Sequence, residues 1–163
     1  MQEMQVLAIG LDAQRGTPLM LVAEQEGQHR ALPLSIGAVE AAAIQIALRG
    51  EQHPRPPTHQ LFVKIIAALG AQLDHVEITA IRDNIFHAEL VFMGDLRISA
   101  RPSDAITLAV YADLPIRASD ELLDAVGTMA FAVDRSGADP DEDEIAEFRS
   151  ALEHLDPDDF GRG

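Results

Sequence analysis

Short, nearly continuous apolar runs at residues 4–10 and 18–24 open the chain, with Asp12, Arg15 and Gly16 between them. Runs of this length bounded by turn residues read as a hairpin of buried strands. After a turn at 25–28, residues 29–36 read as a third strand that stops at Gly37. Val39, Ala42, Ala43, Ile44, Ile46, Ala47 and Leu48 then make a helix, which Gly50 ends as a C′ glycine would. That helix is apolar on most sides, so it needs cover from protein on both faces or from another subunit. In 51–58, Pro54, Pro56 and Pro57 hold the chain extended. Thr58 is the expected N-cap of an amphipathic helix beginning at His59, with Leu61, Ile65 and Leu69 on one stripe, Phe62 and Ile66 on the next, and Gly70 at its end.

The second half repeats the pattern more clearly. Val76, Ile78 and Ala80 alternate with Glu77 and Thr79; Asp83 and Asn84 mark a tight turn; Phe86, Ala88, Leu90 and Phe92 then share one face of a strand through Met93. A turn at Gly94-Asp95 leads into Leu96, Ile98 and Ala100, which alternate with Arg97, Ser99 and Arg101. Pro102 stops this strand and suits the first position of a helix, so Ser103 and Asp104 fall in its first turn. Residues 32–47 align on 96–111 without a gap, pairing Leu32 with Leu96, Ser35 with Ser99 and Glu40 with Asp104. The pattern therefore predicts an α+β fold: an internal duplication of a three-stranded antiparallel meander followed by a helix, with extra helices. Leu114, Pro115 and Ile116 read as a short edge strand, and Ser119 as the N-cap of a short helix through Val126.

Composition adds limits. A chain of 163 residues, 47% hydrophobic and 24% charged, fits one globular body, with no apolar run long enough for a membrane span. From about residue 134 the texture becomes acidic. Residues 134–163 carry 11 acidic and 3 basic side chains, so −8 of the total −15 lies there and −7 in residues 1–133. The organisation expected is a domain over 1–133 and an acidic tail over 134–163, in which Ile145, Phe148, Leu152 and Leu155 stand at helical spacing. Lys64 is the single lysine, which weighs against tight non-specific binding to phosphate backbones. The start lacks a secretory pattern and the chain has no cysteine, so the expected location is cytoplasmic.

With Leu-Pro-Leu-Ser-Ile-Gly-x-x-Glu-Ala at 32–41, Pro-Arg-Pro-Pro-Thr-His at 54–59 and Arg-Pro-Ser-Asp-Ala-Ile at 101–106, the chain resembles the bifunctional nuclease domain family over residues 6–131. Members of that family are described as acting on both DNA and RNA. The resemblance therefore implies a nuclease and a nucleic-acid substrate. The family pattern usually has an aspartate after the Thr-His pair, where this chain has Gln60.

Within those motifs each polar residue has two readings. Glu40 and Asp104 would hold Mg²⁺ or Mn²⁺ for phosphodiester hydrolysis, or simply satisfy their own helix N-termini. His59 would be a general base or a surface residue. Arg55 and Arg101 would pair with phosphate through two parallel hydrogen bonds, or Arg101 would anchor its own corner through Asp104. Thr58 and Ser103 sit where substrate would be held, but no Ser-His-Asp arrangement accompanies them, and as residues they read as caps. A homo-oligomer, expected as a dimer, would cover the first helix. The competing function is a non-catalytic homo-oligomeric binding or regulatory module.

Overall fold

The computed structural model of the protein describes residues 1–12, 15–51 and 53–129; the acidic stretch 134–163 lies outside them. The strands are β1 (Gln2–Leu11), β2 (Pro18–Glu24), β3 (Arg30–Ser35), β4 (Leu73–Arg82), β5 (Ile85–Phe92), β6 (Arg97–Ala100), β7 (Ile116–Ala118) and β8 (Thr128–Met129). The helices are α1 (Ala38–Leu48), α2 (Thr58–Ala68), α3 (Pro102–Ala112) and α4 (Asp120–Val126). No helix among the described residues is long and apolar enough to cross a membrane.

The fold is α+β, a mixed sheet with helices packed on it. Strand order is β6-β5-β4-β7-β1-β2-β3-β8, and every neighbouring pair is antiparallel except β4 with β7. Each meander occupies one end of the sheet and is followed by its helix. Between them lies β7, which corrects the expected edge strand. Proline cannot donate to a ladder, so a short run containing one reads as an edge. Here Pro115 stands just before the strand and contributes only its carbonyl, which accepts the Val76 N–H at 3.0 Å.

The turns follow local chemistry. Asp83 and Asn84 adopt left-handed backbone (φ 51° and 59°), the conformation a two-residue hairpin turn demands. Ser119 caps α4 by accepting the Leu122 N–H at 3.1 Å. Thr58 corrects its expectation: it is the first residue of α2, whose N-cap is Pro57, with no side-chain cap bond.

Three bulges shape the sheet. Leu7 is the extra residue between the Val6 and Ala8 pairings of β1 with β2, and Asp74 and Thr79 are the extra residues between Leu73 and His75 and between Ile78 and Ala80 of β4 with β5. A bulge increases right-handed twist and bends its strand. Residues from the turns of both hairpins line one cleft.

The core lies between sheet and helices, with Met4, Met20, Val22, Leu32, Ile44, Val76, Ile78, Ile106 and Leu123 almost wholly buried. Helix α3 is central, burying Ala105, Ile106, Leu108 and Ala109 against the sheet between α1 and α2. Helix α1 buries Ala41, Ile44 and Ala47. It leaves Val39 and Leu48 exposed, and α2 lacks cover more completely. None of its residues is buried; Val63 and Ile66 touch the core while Leu61, Phe62 and Ile65 are exposed, as is Leu69 just after it.

Candidate functional site

The two strand-to-helix corners meet. Arg101 is the N-cap of α3, Pro102 its first residue, and Asp104 lies in its first turn; Gly37 is the N-cap of α1, with Glu40 in the equivalent place. The Arg101 guanidinium donates from Nε to Asp104 Oδ2 at 2.7 Å, from Nη2 to Asp104 Oδ1 at 3.0 Å, and from Nη1 to Glu40 Oε1 at 2.8 Å. His59 Nε2, from the first turn of α2, lies 3.2 Å from Asp104 Oδ1. One carboxylate oxygen is thus shared by an imidazole and a guanidinium.

The corner is built for this contact. A methyl group on Gly37 would lie 2.2 Å from Glu40 Oε2, so only glycine lets that carboxylate fold back over the helix start. Neither Glu40 nor Asp104 accepts a backbone N–H in the hydrogen bonds recorded for them; both turn to Arg101 instead of capping. Burial opposes ionisation of Asp104, but hydrogen bonds from Arg101 and His59 outweigh it, and its carboxyl is held below the ordinary aspartate value. The same bonds, Asp104 first and Glu40 second, raise the Arg101 guanidinium further above its already high value. Arg101 is nonetheless open to solvent, its side chain 65% exposed.

Beside Arg101 opens a cleft of about 590 Å³. Glu40, Arg101 and Ser103 line it, together with Arg15 and Leu19 from the first hairpin and Asn84, Ile85 and Phe86 from the second. Although β1 and β4 run in opposite directions in the sheet, residues from these two hairpin turns line one cleft.

A model of the bifunctional nuclease domain matches residues 20–130. The chain belongs to that family. It is also 36% identical over 164 residues to uncharacterized proteins from two strains of Mycobacterium tuberculosis, covering 98% of this chain and 98% of each relative.

Of the residues that the bifunctional nuclease motifs single out, the structure joins Glu40, His59, Arg101 and Asp104 through direct contacts and sets Ser103 on the cleft wall, where the residue is buried and its carbonyl accepts the Thr107 hydroxyl at 2.6 Å. Arg55 and Thr58 are exposed, with no contact to the cluster recorded. The cleft residues Arg15, Asn84 and Phe86 escape the motif reading. Nothing local distinguishes them, since their proximity depends on two hairpins far apart in sequence.

The donor set at the corners does not fit a divalent cation as it stands. Arg101 occupies the space between the two carboxylates, and no three His, Asp or Glu side chains gather at ion-binding spacing among the described residues. An ion held by Glu40 and Asp104 would have to displace the guanidinium.

Proposed function

We infer that this bifunctional nuclease domain hydrolyses phosphodiester bonds of nucleic acid at the His59–Asp104–Arg101 cluster. The observation that carries the reading is Asp104 Oδ1, which contacts both His59 Nε2 and Arg101 Nη2 at the edge of an open cleft. With Nε2 donating to Asp104, the His59 Nδ1 lone pair is the one to take a proton from water, in the manner of a carboxylate-oriented imidazole. The hydroxide formed attacks phosphorus, the P–O bond to the leaving oxygen breaks, and that oxygen draws its proton from solvent. Three of the five guanidinium N–H groups of Arg101 are used by Asp104 and Glu40, which leaves the others to meet the phosphate and the charge that develops on it. Glu40 holds the guanidinium at the cleft wall.

The test is cleavage of end-labelled single-stranded DNA and RNA by the pure protein, in EDTA and in Mg²⁺ or Mn²⁺. Arg101→Ala is expected to lose about 10²- to 10³-fold in kcat. Cleavage in EDTA supports the mechanism as written. Cleavage strictly dependent on the ion assigns Glu40 and Asp104 to metal, with Arg101 displaced. No cleavage under any condition removes the nuclease reading.

Gly37→Ala is a gentler probe of the same corner. Its backbone (φ −76°) suits alanine, so the unfolding free energy should stay within about 1 kcal/mol of wild type. The added methyl must move the Glu40 carboxylate, and kcat should fall about tenfold with KM little changed. Equal kcat would mean that Glu40 does not position Arg101.

The alternative, a non-catalytic homo-oligomeric binding module, draws on the open face of α2. Leu61, Phe62, Ile65 and Leu69 form an exposed apolar patch of the kind that marks interfaces. In this reading a second copy covers it as a dimer. Sedimentation of wild type as a dimer at micromolar concentration, and of Ile65→Glu as a monomer, is the expected pair of results; a monomeric wild type refutes the dimer.

A further inference from the structure

The cleft beside Arg101 has features that hydrolysis alone does not require. Its lining includes the apolar residues Leu19, Ile85 and Phe86, of which Phe86 also packs on the core and Ile85 is 61% exposed. Its rim is polar, with Asn84 at the tip of one hairpin and Arg15 in the loop of the other. The Asp12 carboxylate accepts the Arg15 backbone N–H at 3.1 Å, and the Asp12 carbonyl accepts the Gly16 N–H at 2.7 Å. Asp12 and Glu40 also line the cleft, Asp12 accepting the Arg15 backbone N–H and Glu40 accepting from the Arg101 guanidinium.

The rest of the surface could not hold a long polymer by charge. The protein carries −15 overall, with 12 basic residues against 27 acidic ones. Arg30, Arg49 and Arg97 are each taken up by carboxylates. Duplex binding rests on many cations that follow the phosphates, and this acidic chain has few to offer. Recognition must therefore be concave and short. A volume of about 590 Å³ lies within the ~300–1,000 Å³ range of small-ligand pockets.

We propose that this cleft seats one unstacked nucleotide of a single strand, with its base against the Phe86 ring, its edge read by the Asn84 amide, and its phosphate between Arg15 and Arg101. The proposal rests on the nuclease reading for its choice of ligand, and it deepens that reading by naming single-stranded substrate. Base stacking on an aromatic ring tolerates any base, whereas an amide offers both a donor and an acceptor and so discriminates between base edges. A paired, stacked base cannot enter, so duplex is excluded by shape.

Two substitutions isolate the parts. Asn84→Gly removes the amide while keeping the left-handed turn, because glycine takes that backbone without strain. Phe86→Leu removes the ring but keeps an apolar side chain against the core that Phe86 also touches. The probes are 5′-labelled tetradeoxynucleotides of each base and a blunt duplex, with binding by fluorescence anisotropy and cleavage followed separately on the same samples. Expected are binding of single strand over duplex by at least tenfold, a salt slope near −1.4 for about two phosphate contacts, loss of base preference in Asn84→Gly, and about tenfold weaker binding of every base in Phe86→Leu with melting temperature little changed. Base-dependent binding without cleavage upholds the pocket and overturns the nuclease reading. Cleavage with equal affinity for duplex, or with both variants behaving as wild type, overturns the pocket and leaves the nuclease. Failure of every probe to bind overturns the pocket.

Discussion

His59→Ala should cleave labelled single strands about 10²- to 10⁴-fold more slowly than wild type, the usual contribution of a positioned general base. Asp104→Asn should fall by a similar factor, because asparagine can present its N–H where the carboxylate accepts from His59 and thereby fix the wrong tautomer. The two effects should not add. Residues that act as one unit lose their whole effect with the first substitution, so the double variant should match the slower single one within about threefold. Folding is a poor excuse for either loss, since His59 and Asp104 are partly exposed and make no buried pairing outside the cluster. Circular dichroism and melting temperature near wild type, with kcat collapsed, is the expected combination. Wild-type kcat in His59→Ala would remove the imidazole from the reaction.

The largest stability effect is expected away from the cleft, at Arg30. This guanidinium on β3 donates to Glu24 Oε1 from Nη2 at 2.6 Å and from Nε at 3.1 Å, and reaches Asp120 at 3.1 Å and Asp124 on α4. Side-chain exposures of 10% for Arg30 and 1% for Glu24 make the pair a buried one. Arg30→Met should cost about 3–5 kcal/mol, because it leaves the Glu24 charge buried and largely unpaired. The double variant Glu24→Leu/Arg30→Met should regain most of that loss. Chemical denaturation measures both, and a single variant within 1 kcal/mol of wild type would contradict the account. For contrast, Arg97, whose side chain is 46% exposed between Glu77 and Glu89, should contribute little to stability because water screens the pair.

The same network sets the acid limit. Burial raises the Glu24 carboxyl, yet the bonds from Arg30 bring it below its ordinary 4.5. Gln2, the N-terminal ammonium and Arg30 together hold Asp120 down to about 2, against an ordinary 3.8. Groups whose folded values are depressed stabilise fully above their unfolded values and lose that contribution as pH falls through the folded ones. Wild type should therefore keep its stability down to about pH 4.5 and lose it progressively toward pH 2, with a shallower loss in Arg30→Met.

Much of the fold was legible because its signals are local. Alternation marks β4, β5 and β6, the Asp83-Asn84 and Gly94-Asp95 turns punctuate them, and Pro102 starts α3 where a proline belongs. The equivalence of Glu40 and Asp104 also follows from aligning the two corners, and the structure adds that one arginine joins them. What could not be read depends on three dimensions. The place of β7 follows from pairing partners 40 and more residues distant, and the cleft from two hairpins far apart in sequence. How far each helix is covered also depends on three dimensions. Composition makes α1 the most apolar; α3 and the sheet bury Ala41, Ile44 and Ala47 but leave Val39 and Leu48 exposed, and the well-patterned α2 has no buried residue.

The central position of β7 has a consequence for biosynthesis. Its three residues emerge from the ribosome after both meanders, and it alone bonds to β1 on one side and β4 on the other. Until then a nascent chain holds two half-sheets, each with an unsatisfied edge inviting a stranger of the same kind. The last stretch to be threaded is thus the one that turns two sticky fragments into a single unit, and a ribosome stalled before residue 116 would release an aggregation seed.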